Sequence, residues 1–189
     1  TLSSQQNKQI AFVDADKITA KKVYEFYSHD FNSQNNPVNV DSRIAFSNSK
    51  TGGLGEALPK GTVRVYAKDK QGKAQFIGEE AIGHMSAGSD ISMKIGEAFD
   101  ITVKPTVVNT KQISRRVTET DMKFEVRNAK PEPVTVYVYQ GLYGWGYDYD
   151  FLTESQPGTN KTAFQRVWAV RVPAQGSKDL TYKVRRSWK

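Results

Sequence analysis

The sequence predicts an all-β protein built as an antiparallel β-sandwich, and three observations carry that reading. Apolar residues recur with a period of two, without a fault along Met122-Lys123-Phe124-Glu125-Val126-Arg127. Breakers fall at the spacing that sandwiches use: Asn36-Pro37, Gln71-Gly72, Ala87-Gly88, Lys130-Pro131-Glu132-Pro133, Gln156-Pro157-Gly158 and Gln175-Gly176. No segment keeps a helical period long enough to form a packed amphipathic helix.

The elements follow in order. Strands are expected near 8–13, 19–27 and 37–47. Val63 and Val65 alternate with Thr62, Arg64 and Tyr66, which places a half-buried strand there, followed by one near 74–82. A strand near 91–95 precedes a second in which Phe99, Ile101 and Val103 alternate with Asp100, Thr102 and Lys104. A further strand is expected over 107–119. Val134-Thr135-Val136-Tyr137-Val138-Tyr139 is β-branched on one face and mostly aromatic on the other, and a strand near 147–153 follows. The segment Phe164 to Val172 is apolar on both faces around Val167, Trp168, Ala169 and Val170, as a central strand would be. In the last strand Leu180, Tyr182, Val184, Arg186 and Trp188 share one face.

The expected organisation is two packed sandwich-like halves, residues 1–98 and 99–189, which read equally as one continuous domain. The second half has about six strands, enough for an immunoglobulin-like sandwich, although the cysteine signature of true immunoglobulin domains is absent. With 189 residues and 38% hydrophobic content the chain can bury a core. No apolar run approaches the ~18 residues that a membrane span needs. The chain opens on Thr1, which reads as a processed or trimmed piece whose N-terminal region lies elsewhere.

Cysteine is absent, which excludes disulfides, thiol nucleophiles and cysteine-ligated zinc. The net charge of +7 is uneven: residues 1–100 carry 12 basic and 12 acidic side chains, residues 101–189 carry 15 and 8. A basic second half suits anionic partners or serves as a solvated face.

Several motifs in fixed order carry a resemblance. They are Gly53-Leu54-Gly55, Leu58-Pro59-Lys60-Gly61-Thr62-Val63-Arg64-Val65-Tyr66, Gln75-Phe76-Ile77-Gly78-Glu79 and Ile82-Gly83-His84. Gly96-Glu97-Ala98-Phe99-Asp100-Ile101-Thr102, Arg127-Asn128-Ala129-Lys130, Val172-Pro173-Ala174, Gly176, Leu180-Thr181-Tyr182-Lys183-Val184 and Trp188 complete the set. From about Lys8 to Trp188 the chain resembles the C-terminal domain, of unknown function, of bacterial mucoidy-inhibitor-A-like proteins. It departs from that family where His84-Met85-Ser86 replaces the usual His-Thr-Pro. The resemblance implies a β-rich domain of a periplasmic or secreted bacterial protein and supplies no catalytic residue.

The functional candidate in the sequence is the loop Tyr143-Gly144-Trp145-Gly146-Tyr147-Asp148-Tyr149-Asp150-Phe151. Exposed Tyr and Trp rings stack on sugar faces, and flanking carboxylates such as Asp148 and Asp150 accept hydrogen bonds from hydroxyls. Tyr137 and Tyr139 are placed to extend the platform. Against this stands a purely structural role, with Trp145 plugging the sandwich and the tyrosines pairing across a hairpin. His84 beside Glu79 and Glu80 lacks further metal ligands and reads as a turn histidine bonded to backbone. Asp14 and Asp16 are spaced like part of a calcium loop but lack its other oxygens.

Gly52-Gly53-Leu54-Gly55 has no Gly-Lys-Ser/Thr ending, so it is a conformational loop rather than a phosphate cradle. Arg115, Arg116, Arg127, Lys130, Arg166, Arg171, Lys183, Arg185, Arg186 and Lys189 form a possible basic stripe. Arg185 and Arg186 must face opposite ways, however, and acidic residues are interspersed, which disfavours nucleic acid.

The expectation is therefore a non-catalytic binding or structural module of a bacterial envelope or secreted protein. No cofactor or metal is expected, and the partner would be a glycan or an envelope protein. The rival is a carboxylate-dependent hydrolase acting on envelope polysaccharide, which needs two converging carboxylates in a cleft. A third reading is an architectural domain whose strand edges pair with a partner.

Overall fold

The computed structural model of the chain describes residues 15, 18–144 and 146–189. The strand expected near 8–13, the acidic pair Asp14 and Asp16, and Trp145 lie outside the described residues. The described chain is all-β, with eleven strands and no helix. They are β1 (Ala20–Ser28), β2 (Val38–Ser47), β3 (Gly61–Lys68), β4 (Ala74–Ile82), β5 (Asp90–Ser114) and β6 (Val117–Asn128). After these come β7 (Val134–Gly141), β8 (Tyr147–Glu154), β9 (Thr159–Thr162), β10 (Gln165–Val172) and β11 (Gly176–Trp188).

The chain divides into two compact units that are discontinuous in sequence. One comprises Ile44–Met93 with the described residues up to Lys21; the other joins Lys22–Arg43 to Lys94–Lys189. Residue 98, the expected division, falls inside β5, which runs unbroken for 25 residues.

The first unit holds the antiparallel β3–β4 hairpin. Paired amides and carbonyls of Leu58 and Met85, each bond 2.8 Å, close a bridge below it. Asp69 organises the hairpin turn by accepting hydrogen bonds from the Gln71 and Lys73 amides. The Lys73 amide foremost, then the Gln75 side chain, holds its carboxyl below the usual range. Gly53 and Gly55 take φ of 96° and 72°, the left-handed conformation expected of the glycine loop.

The second unit is built on a mixed nine-stranded sheet in the order β8-β11-β6-β5-β2-β1-β7-β10-β9. β5, β6, β11 and β8 pair antiparallel, as do β7, β10 and β9, while β1 and β7 run parallel. The sheet folds back on itself as a sandwich. Trp168 of β10 stacks on Tyr182 of β11 at 4.9 Å between ring centres, with the planes 6° apart. Five strands separate β10 from β11 in the sheet order, so in a flat sheet the two rings would stand ~29 Å apart.

Alternation fills the space between the layers. Met122, Phe124 and Val126 of β6, Val134, Val136 and Val138 of β7, and Leu180, Tyr182 and Val184 of β11 form the core with Trp168. Gln140, completely buried, accepts a hydrogen bond from the Tyr182 hydroxyl at 2.7 Å and donates to the carbonyls of Asp30 and Gly141. Gln140 is thereby satisfied inside the core, whereas the Ser42 hydroxyl, the Asn48 Oδ1 and the Arg186 Nε are buried without a protein partner.

Three strand expectations change in detail. The segment 107–119 is a hairpin, not one strand: β5 and β6 meet at the turn Arg115-Arg116. β10 is not sheathed on both sides, since Ala169 and Arg171 are exposed and it lies next to the edge strand β9. Phe99 is 87% exposed while Ala98 is buried, so the alternation slips by one residue before Ile101.

Gly158 sits against the face of the Trp168 indole. A Cβ there would collide with Nε1 and stand 2.8 Å from Cδ1 and Cε2. The ring is completely buried and has no room to retreat. Gly158→Ala is expected to lower stability by about 1–3 kcal/mol, as overpacking does, measured by urea denaturation. A change within error would show that the loop before β9 yields freely.

Candidate functional site

The β8–β11 ladder carries an aromatic column out of the core to one end of the sandwich. Register places Phe151 opposite Val184, Tyr149 opposite Arg186, and Tyr147 opposite Trp188. Alternation puts these side chains on the inner face of the ladder. Phe151 and Tyr149 pack against the core, whereas Tyr147 and Trp188 lie beyond it and are 41% and 47% exposed.

Ring contacts join the outer members. Tyr147 meets Trp188 edge-on at 4.8 Å and Tyr149 at 6.4 Å. Tyr149 stacks on Phe31 at 6.0 Å, and Tyr143 stacks on His29 at 6.2 Å. The Tyr149 hydroxyl donates to the Tyr143 carbonyl at 2.7 Å, which fixes the loop between β7 and β8. Burial raises the Tyr149 pKa, so that hydroxyl stays a donor. The Lys189 amide donates to the Gly146 carbonyl, and the Trp188 amide to that of Arg116, so backbone bonds hold the rim from both sides.

Of the residues singled out in the sequence, Tyr143, Tyr147 and Tyr149 come together here. Tyr143 is 56% exposed. Trp145 lies outside the described residues. Asp148 and Asp150 point to the other side of β8, because alternation separates them from the tyrosines. Asp148 is engaged by Lys189 at 2.9 Å, and Asp150 lies opposite Arg185 in the ladder.

Tyr139 does not extend the platform. It is buried, stacks on Tyr27 at 4.6 Å and donates to Glu25 at 3.3 Å. Burial foremost, then the Glu25 charge, pushes its pKa up to about 12. Sequence reasoning did not bring in Trp188, His29, Phe31 and Arg186 as members of the rim.

The other constellations resolve into structural roles. His84 Nδ1 accepts the Lys60 amide at 3.4 Å, and Glu79 pairs with Arg64. Among the described residues no cluster of three potential ligands gathers to hold a metal. Six of the ten residues of the basic stripe are paired with carboxylates: Arg127–Glu125, Lys130–Asp100, Arg166–Glu154, Lys183–Asp121, Arg185–Glu119 and Lys189–Asp148. Arg185 and Arg186 do face opposite ways: the first meets Glu119, the second lies over Phe31. Amides hold the Asp69 carboxyl below its usual value, and a lysine partner does the same for Asp100. At Glu154, burial works upward, but hydrogen bonds from Arg166 and Trp168 outweigh it and the pKa falls. A general acid of a hydrolase needs the opposite shift.

No helix of the described chain is long and apolar enough to cross a membrane. No family model, curated protein or solved structure matches the chain.

Proposed function

We propose that this protein is a non-catalytic binding module and that the aromatic rim at the end of the β8–β11 ladder is its ligand-binding surface. The observation that carries the reading is the gathering of three exposed rings, Tyr143, Tyr147 and Trp188, at one end of the β8–β11 ladder. They are held in place by ring contacts and backbone hydrogen bonds. Rigid, amphipathic rings offer contact area at small entropic loss, as glycan-binding and protein-binding surfaces do. Glycan is the ligand that open, edge-set rings suit best, because sugar C–H faces stack on them while hydroxyls stay in water.

The motif resemblance supports a setting in the periplasm or outside a bacterial cell. It is the basis for proposing membership of the mucoidy-inhibitor-A-like group. An envelope protein with an apolar, hydrogen-bonding surface is the alternative occupant.

The test is a tryptophan-fluorescence titration with neutral and acidic envelope polysaccharides. Wild type should saturate. Tyr147→Ala and Trp188→Ala should weaken binding by about tenfold or more, the ~1–3 kcal/mol of a lost stacking ring. Titrations in which both variants match wild type would remove the rim from the binding account.

A further inference from the structure

Arg186 is unlike its neighbours. The cations just before and after it in the chain have carboxylate partners: Lys183 has Asp121, Arg185 has Glu119 and Lys189 has Asp148. No described carboxylate reaches Arg186. Its Nε is buried with no protein acceptor, and its Nη2 makes only a 3.5 Å contact to the Thr120 hydroxyl. The guanidinium lies 4.9 Å over the Phe31 ring, in register with Tyr149 and two residues from Trp188. Its positive charge acts on the hydroxyls of both Tyr149 and Tyr182, against the rise that burial causes there.

A half-buried guanidinium without an anion is costly, because its donors give up water without full replacement. Exposed cations such as Arg171 carry no such cost. By alternation Arg186 shares a face of the β8–β11 ladder with Tyr147 and Trp188. Tyr147 and Trp188 lie one alternation step further along, ~7 Å away, about the width of a sugar ring. A sugar stacked on them would bring a carboxylate on that ring towards the guanidinium fork, which matches a carboxylate in two parallel bonds.

We propose that Arg186 is the anion-recognising residue of the aromatic rim and that the rim selects sugars bearing a carboxylate. The proposal rests on the rim being a glycan surface. Stacking supplies contact with any sugar; Arg186 supplies the preference for the acid. A carboxyl-terminal peptide offers the same anion without the stacking face.

The experiment compares glucuronate-containing oligosaccharides with their carboxyl-reduced counterparts, titrated against wild type, Arg186→Met and Arg186→Lys. Thermal melts establish that each variant is folded. Wild type should prefer the acid by about tenfold to a hundredfold, the range of a hydrogen bond to a charged group. Arg186→Met should lose that preference, its affinities for the acid and the reduced sugar becoming equal. Arg186→Lys keeps the charge but not the fork and should retain part of it; it carries the test if the methionine variant does not fold.

Equal wild-type affinity for acid and reduced sugar overturns the proposal and leaves the rim a neutral-glycan surface. So does an acid preference that either variant keeps in full. Binding of neither sugar overturns the rim as a glycan surface together with this proposal, and binding of a carboxyl-terminal peptide alone replaces both with peptide recognition.

Discussion

Trp168→Ala is expected to lower the unfolding free energy by about 3–5 kcal/mol, as removing a large buried ring does. Trp168 is completely buried and joins the layers through Tyr182 at 4.9 Å and Phe151 at 5.6 Å. Its indole N–H also donates to Glu154 at 2.7 Å. Alanine therefore removes a ring from the middle of the sandwich, leaves a cavity and orphans a half-buried carboxylate bond. Urea denaturation followed by far-ultraviolet circular dichroism measures the loss. A shift below about 0.5 kcal/mol, within the range of surface substitutions, would mean that the layers are not held together through this ring.

Glu154→Ala is the second large effect. Glu154 receives Arg166 through both oxygens, at 2.7 and 2.6 Å, as well as the Trp168 indole. The two side chains are 15% and 16% exposed, so the pair is largely out of water. Arg166 further donates to Asn160 and to the Gly158 carbonyl, tying β9 and the loop before it to the pair. Removing one partner of such a pair leaves the other charge stranded and costs about 3–5 kcal/mol. Replacing both, as Glu154→Met with Arg166→Met, should cost clearly less than the sum of the single losses, and the double-mutant cycle reads that coupling.

The same pair makes stability depend on acid. The Glu154 carboxyl is held below its usual value of 4.5: burial pushes it up, but hydrogen bonds from Arg166 and then Trp168 win. A depressed folded pKa means that the unfolded chain binds the proton first. The contribution is therefore full above the usual value and is lost as the pH falls through the folded one. Thermal midpoints of wild type should decline below about pH 4.5, and Glu154→Gln should flatten part of that decline. An unchanged acid limb in the glutamine variant would contradict the assignment.

The strands were legible because burial on one face writes a period of two into the sequence. Met122 to Val126 and Leu180 to Trp188 fall where alternation places them. Alternation does not report neighbours in the sheet. Nothing local says that β1 and β7 pair in parallel, with Tyr24 beside Val136. Nor does it say that Lys22–Arg43 folds with residues beyond Lys94. The slip at Phe99 and the turn at Arg115-Arg116 escaped for the same reason, since a bulge or a two-residue turn without glycine leaves little mark on composition.

The candidate site was legible only in part. The tyrosine loop announced itself by composition. Its partners Phe31 and Trp188 are brought in by tertiary pairing from opposite ends of the chain. Alternation along β8 could have shown beforehand that Asp148 and Asp150 face away from Tyr147 and Tyr149. Arg186 was visible as a face-sharing residue with Tyr182 and Trp188, but its want of a carboxylate is a property of the fold alone.

The most direct test of the aromatic rim is side-chain NMR of the aromatic groups during titration with a glucuronate oligosaccharide. The account predicts saturable shifts of the Tyr143, Tyr147 and Trp188 resonances, with Trp168 and Tyr182 in the core unmoved. Shifts confined to Tyr66 and Phe76 on the β3–β4 hairpin, or none at any ring, would contradict it.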